Sequence, residues 1–208
     1  MRRFFTVVLM MAVFTAASAQ RKMADFIIAM PDSVVPYLNK VKRTEMVDFY
    51  GMGVKAETFN LLSEGTVLDS LTTSYAHITL NESSRMQLAL LAAEQGDTLL
   101  CMVRTLLGEA PESVISFYAA DWRKLDSSRY LDAIDPASLV GRPDTMDVER
   151  YEELLRWVDP LMVQAEFSPE DNSLSFSLST PLVTRKELEQ LKPILLQRKV
   201  KWNRQRFN

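Results

Sequence analysis

The chain holds one cysteine and one histidine in 208 residues. Cys101 has no second thiol to pair with, so no intrachain disulfide can form and stability must come from packing. Any Ser-His or Cys-His pair would have to use His77. One imidazole and one thiol cannot build a typical zinc site. Glycine is scarce, at six residues, and no G-x-S-x-G elbow occurs. A cationic excess is missing too: 24 Lys and Arg stand against 27 Asp and Glu. Phosphate backbones need a cationic face, so nucleic acid is excluded as the main partner. After residue 19 no stretch reaches ~18 uninterrupted apolar residues, so no membrane span is expected there.

The N-terminus is the one strongly apolar segment. Met1-Arg2-Arg3 precedes an apolar run from Phe4 to Ala17, and Ala17-Ser18-Ala19 is a small-x-small cleavage pattern. This predicts a signal peptide over residues 1–19, cut between Ala19 and Gln20. The run of 14 residues is too short to cross a bilayer of ~30 Å as a helix. The competing reading is an anchor that is never cut. Removal of Arg2 and Arg3 would leave 22 basic residues and a net charge of 22 − 27 = −5. The expected product is soluble and exported, in the periplasm or outside the cell. Residues 20–208 suit one domain, or two half-domains (20–120 and 146–208) joined by an irregular segment, 121–145.

After a short lead-in over 20–30, Pro31-Asp32-Ser33 predicts the start of a helix, with Asp32 or Ser33 as its cap. Leu38, Val41, Met46 and Phe49 follow at helical spacing, and Gly51 and Gly53 stop it. From about residue 66 the period becomes two. His77, Thr79 and Asn81 share one face, with Ala76, Ile78 and Leu80 on the other. The apolar runs 85–93 and 98–107 flank Glu94-Gln95-Gly96-Asp97, a hairpin signal, and 113–120 is a further strand. Val148, Tyr151, Leu155 and Val158 predict a second helix ended by Asp159-Pro160. Segments 162–167 and 174–179 predict a second hairpin. Thr184-Arg185-Lys186-Glu187 is a capping box for a short helix, and a last strand is expected over 199–207. Within 121–145, Pro136 predicts a short helix. The order implies an α+β fold: an antiparallel sheet built from hairpins with helices packed on one face.

No catalytic constellation stands out. His77 lies on the polar face of a strand. Cys101 alternates with Leu99 and Val103, which predicts a buried, inert thiol. Glu170-Asp171-Asn172 is turn chemistry without the spacing of a calcium loop. Glu149, Glu152 and Glu153 mark the wet face of a helix. Gly51-Met52-Gly53-Val54-Lys55-Ala56 has the letters of a dinucleotide fingerprint but follows a helix, where the fingerprint needs a strand. No catalytic residue, metal ligand or cofactor is therefore assigned. The most biased segment is C-terminal: Arg198, Lys199, Lys201, Arg204 and Arg206, interleaved with Trp202 and Phe207. It reads as a basic patch for an anionic surface, or as an edge strand whose cations block aggregation.

Three stretches carry a family resemblance. They are Met30-Pro31-Asp32-Ser33 with Pro36-Tyr37-Leu38 and Val47-Asp48-Phe49-Tyr50; Cys101-Met102-Val103-Arg104-Thr105 through Ser113 and Phe117-Tyr118 to Asp121-Trp122; and Ser179-Thr180-Pro181-Leu182 with 201–207. The chain resembles a domain-of-unknown-function family of exported Bacteroidales proteins. The resemblance implies an envelope location and brings no substrate or catalytic residue. It also draws notice to Asp-Ser/Thr-apolar triplets, which look like the O-glycosylation acceptor of that order; Ser33, Ser70, Thr98 and Thr145 would be the modified residues. The expected role is a non-catalytic binding or assembly module for an envelope protein, a peptide or a glycan. The alternatives are a hydrolase of glycans using carboxylates alone, which needs two acids ~5–9 Å apart, and an envelope lipid or lipoprotein carrier with an enclosed apolar pocket.

Overall fold

The computed structural model describes residues 21–208 except 95, 159, 160, 181 and 182. The expected signal peptide with its cut at Ala19 and Gln20, and the expected stop at Asp159-Pro160, lie outside the described residues.

Six strands form an antiparallel meander in chain order: β1 (Glu57–Phe59), β2 (Gly65–Leu71), β3 (Tyr75–Asn81), β4 (Ser84–Ala92), β5 (Thr98–Leu106) and β6 (Glu112–Ala119). The expected strands are all present; β1 is an addition, short and weakly patterned. Gly96 supplies the left-handed φ of 80° that the β4–β5 turn requires. β4 and β5 lie inside the sheet and are buried at consecutive positions, Met86–Ala89 and Leu99–Val103. A strand covered on both faces has no wet side, so its sequence is a continuous apolar run rather than an alternation.

One face lies under two helices, α1 (Met23–Ala29) and α2 (Lys40–Gly51). Ala76, Ile78 and Leu80 point to this side, as their period predicts. The expected lead-in over 20–30 is instead α1, which buries Met23, Phe26 and Ile27. The expected helix start at Pro31 is also corrected. Asn39 caps α2, accepting from Lys42 N at 3.1 Å, while residues 31–38 form successive turns. The cause is Arg43, a cation only 1% exposed. Its guanidinium donates to the carbonyls of Ile27 (3.0 Å), Met30 and Leu38 and to Asp32 Oδ1 (2.8 Å). Gathering these oxygens around one buried cation holds residues 31–38 in turns, and Asp32 binds the buried charge instead of capping.

The other face lies under a second antiparallel sheet, built from the expected hairpin and last strand but separate from the first sheet, which the sequence did not reveal: β7 (Val163–Ser168), β8 (Ser173–Leu178) and β9 (Arg198–Lys201). Leu174, Phe176 and Leu178 of the alternating strand pack with Cys101, Val103 and Phe117 of the large sheet. In an antiparallel pair alternate residues turn their amides away from the partner. Along the β7 edge two of these are Ala165 and Phe167, and large-sheet side chains satisfy them. Gln87 Nε2 donates to Phe167 O (3.2 Å) and its Oε1 accepts from Phe167 N (2.9 Å). Ser113 Oγ bonds both Ala165 N (2.9 Å) and Ala165 O (3.3 Å). Gln87 belongs to β4 and Ser113 to β6, so β7 crosses the large sheet at a steep angle.

Helix α3 (Val148–Leu155) is shorter than its expected stripe. Val148 is exposed, but Val158 of the stripe is buried and Tyr151 and Leu155 pack beside it; Leu154 joins them, against Leu191 and Ile194 beside α4 (Arg185–Leu191). The capping box forms as expected: Thr184 N donates to Glu187 Oε2 (2.6 Å) and Glu187 N to Thr184 Oγ1 (3.3 Å). The irregular segment 121–145 carries short 3-10 turns at Ser127–Arg129 and Pro136–Leu139. Its Leu125, Tyr130, Ile134 and Leu139 pack into the core between the sheets. The expected strand over 199–207 stops at Lys201, and the tail folds back with Trp202 bridged to Phe207.

Two outcomes follow for stability. Gln87→Ala leaves the Phe167 amide and carbonyl buried without partners and destabilises by about 1–3 kcal/mol, read by urea unfolding; an unchanged midpoint would contradict the role given to Gln87. Burial pushes the Cys101 thiol far up. A thiol reagent at pH 8 is therefore expected to label Cys101 only as the protein unfolds, along the same urea curve.

Candidate ligand-binding groove

His77 Nδ1 lies 3.4 Å from Asp69 Oδ2 on the β2–β3 surface, where a bulge interrupts the register. The same carboxylate oxygen accepts from Thr79 N and Oγ1, both at 2.8 Å. No hydrogen bond joins His77 to a serine or to Cys101 among the described residues, and none of the cavities described below reaches it. Cys101 sits between Ala89 and Phe117 across the strands, fully buried. No group of three or more His, Cys, Asp or Glu able to hold a metal occurs among the described residues. Gly51 and Gly53 lie in and just after the last turn of α2, with no strand before them. Ser33 and Thr145 are exposed, whereas Ser70 and Thr98 are half-buried in strands.

Folding distributes the C-terminal cations among acids remote in sequence. Lys199 Nζ and Lys201 Nζ lie 2.9 and 3.2 Å from Asp171 Oδ2, and Arg206 pairs with Asp132 at 2.5 Å. Arg198 and Arg204 are exposed. β8–β9 pairing sets Ser173 opposite Lys201 and so carries the β7–β8 turn to the lysines. The Ser173 hydroxyl first, then the ammonium groups of Lys199 and Lys201, hold the Asp171 carboxyl well below the usual carboxylate range.

The most developed concavity is a half-open groove of about 590 Å³ on the helix side of the large sheet. Met102, Arg104 and Leu106 of β5 and Val114, Ser116 and Tyr118 of β6 share one sheet face and line it. The turn Pro31–Val34, shaped by Arg43, lines it from one side and Trp122 from another. Trp122 holds a left-handed φ of 68°, costly for a bulky side chain. Its indole N–H donates to Phe26 O (3.1 Å), and its ring packs on Tyr118 with centroids 5.3 Å apart. Burial raises the Tyr118 phenol, partly offset by a hydrogen bond with Ser116.

Two cations, Arg104 and Lys124, line this groove and no carboxylate does. Arg104 Nη2 donates to Tyr37 Oη at 2.9 Å, while its Nε is buried without a partner. The first two stretches that carry the family resemblance meet here. In the sequence Arg104 is singled out only as part of the second of those stretches. The available signal was a cation that ends the apolar run Leu99–Val103 within one strand.

The geometry at Asp171 generates a pH dependence. A folded-state pKa below the unfolded value of ~3.9 stabilises the fold above about pH 4, and this stabilisation is lost as pH falls toward the folded value. Asp171→Asn is therefore expected to lower stability at pH 5–8, the difference narrowing below pH 4 in urea titrations. A pH-independent difference would contradict the ion-pair account.

No curated protein matches the chain in sequence. A solved structure described as a domain of an uncharacterized protein from Porphyromonas gingivalis W83 is similar in fold. Its TM-score is 0.74 at 19% identity, over 89% of this chain and 98% of that one. Porphyromonas gingivalis is one of the Bacteroidales, the order to which the sequence resemblance points. A family model described as "Protein of unknown function (DUF3256)" matches residues 15–207. With that match spanning nearly its whole length, the chain belongs to the DUF3256 family.

Proposed function

We propose that this is an exported envelope protein that binds rather than catalyses, and that its groove holds an extended apolar segment of another envelope protein carrying an acidic group. The observation that carries this reading is Arg104. A guanidinium with a buried, unpartnered Nε, in a groove without a carboxylate, favours an anion. Lys124 adds a second positive charge on a protein of net negative charge. The apolar lining of Pro31, Val34, Met102, Leu106 and Val114 favours an apolar neighbour to that anion.

An extended peptide suits the site because the groove borders a sheet edge. β6 ends the six-strand order. Segment 123–125 pairs with its C-terminal end only, through Ala119 N to Arg123 O (3.0 Å) and Leu125 N to Phe117 O (2.9 Å). Toward Ser113 the edge meets no further strand among the described residues, and a peptide can add there by main-chain bonding. The half-open shape favours a ligand that keeps one side in water over an enclosed lipid. A hydrolase would need a proton-donating carboxyl with a raised pKa. No carboxyl lines the groove to take that part. Residues 20–208 are taken as one domain, since Gln87 and Ser113 of the first half complete the β7 edge of the second.

The test is an amide NMR titration with three probes: a hexapeptide alternating valine and aspartate, its valine–asparagine counterpart, and decanoate. Shifts at Arg104, Val114 and Ser116 with the aspartate peptide alone are the expected result. Arg104→Gln should weaken that binding by about 1.5–3 kcal/mol, or roughly ten- to a hundredfold. Binding of decanoate alone would replace the peptide by a lipid, and silence with all three probes would end the proposal.

A further inference from the structure

A second concavity, independent of the groove, lies on the opposite side of the large sheet. It encloses about 520 Å³ where the β4–β5 turn, the end of β6, the turn Ser127–Arg129 and the C-terminal tail meet. Arg123, Arg129 and Arg204 line it from three separate segments, and none of them forms an ion pair among the described residues. Two acids, Asp97 and Asp121, also border it; Asp121 Oδ1 accepts from Arg123 N at 3.0 Å.

The aromatic side of this cavity is rigid. Tyr130 and Trp202 lie with ring centroids 6.4 Å apart at 40°, both half-buried. The Trp202 indole N–H donates to Ala92 O at 2.8 Å, and Phe207 N donates to Tyr130 O at 2.7 Å. Phe207 itself is buried between the sheets and pins the tail. Between these anchors the chain turns back sharply. Asn203 Oδ1 accepts from Gln205 N (2.9 Å) and Arg206 N (2.8 Å), and Arg204 is held at a φ of 77°. An arginine gains nothing locally from a left-handed backbone, which glycine would adopt without strain. The observed strain sets Arg204 and Gln205 at the cavity beside Arg129 and Tyr130.

We infer that this cavity is a binding site for an acidic saccharide, a sugar bearing a carboxylate. Each part of the site matches one part of that ligand. The flat C–H face of a pyranose ring packs on an aromatic face such as Trp202 or Tyr130. Ring hydroxyls need donors and acceptors, which Gln205, Asp97 and Asp121 at the cavity supply. A carboxylate is met in bidentate fashion by guanidinium groups, and three arginines line this cavity. A neutral sugar would leave those arginines unanswered. A bare phosphate would leave the aromatic faces unused. The volume falls within the ~300–1,000 Å³ of small-molecule sites. The C-terminal basic segment thereby divides: Lys199, Lys201 and Arg206 are paired within the fold, and Arg204 serves the cavity.

The experiment is isothermal titration of the full protein with digalacturonate, lactose and inorganic phosphate, accompanied by NMR of the Trp202 indole N–H. Digalacturonate is expected to bind and to shift that signal, with lactose and phosphate at least tenfold weaker. Arg129→Gln should weaken digalacturonate at least fivefold. Arg204→Gly separates function from folding. It removes the cation and relieves the positive φ, so binding should fall at least fivefold while the thermal midpoint stays level or rises. Equal binding of lactose or of phosphate would overturn the assignment, as would absence of digalacturonate binding or digalacturonate binding untouched by both variants.

Discussion

Gln87 and Ser113 close the exposed edge of β7 with the side chains of another sheet. An edge strand presents unpaired amides, which invite aggregation unless something covers them. Here a primary amide copies the donor and acceptor of a peptide group at Phe167, and a serine hydroxyl serves both groups of Ala165. Gln87 Nε2 also donates to Tyr75 Oη at 2.7 Å, and Ser113 Oγ lies 2.8 Å from Thr105 Oγ1. The polar seam is thus tied into four strands of the large sheet, β3 to β6. It fixes where the small sheet sits, and with it which apolar residues of β4, β5 and β6 are covered. Hydrophobic contact alone would let the two sheets slide; directional bonds at a buried edge do not.

Arg43 plays the corresponding part on the helix side. A buried guanidinium is costly unless its donors are matched, and three carbonyls with Asp32 match them. The result is a turn at 31–38 where local signals favour a helix. That turn borders the groove at Arg104, so the charge that shapes the fold also shapes the candidate site. The two concavities lie on opposite faces of the large sheet and share a chemistry of arginine beside aromatic rings. They differ in their surroundings. The groove is mostly apolar and borders a sheet edge, which suits a peptide. The tail cavity mixes acids, an amide and three arginines, which suits a polyhydroxylated ring.

Much of the fold was legible because its signals are local. Alternation in Ser173–Leu178 fixed a half-wet strand, and Thr184 with Glu187 fixed a helix start. Gly96 marked the β4–β5 turn. Failures came where a remote group overrode a local preference. Asp32 reads as a cap until Arg43 claims it. In α3 Val148 leaves the expected stripe and Leu154 joins it, because the cluster with Leu191 and Ile194 draws in Leu154. The candidate sites were less legible still. Arg104 stands out as a charge that ends an apolar run, but Tyr37, Ser116 and Trp122 join it only through packing.

By itself the sequence determined the periods of strand and helix, the positions of most turns, and the scarcity of imidazole and thiol, since each is a property of neighbouring residues or of composition. Only the tertiary structure decided that β4 and β5 are covered on both faces, that Asp171 pairs with both Lys199 and Lys201, and that Arg123, Arg129 and Arg204 line one cavity. The reason is physical. Backbone period and turn geometry act over a few residues, whereas burial, ion pairing and convergence depend on which surfaces meet, and that is set by the summed packing of the whole chain.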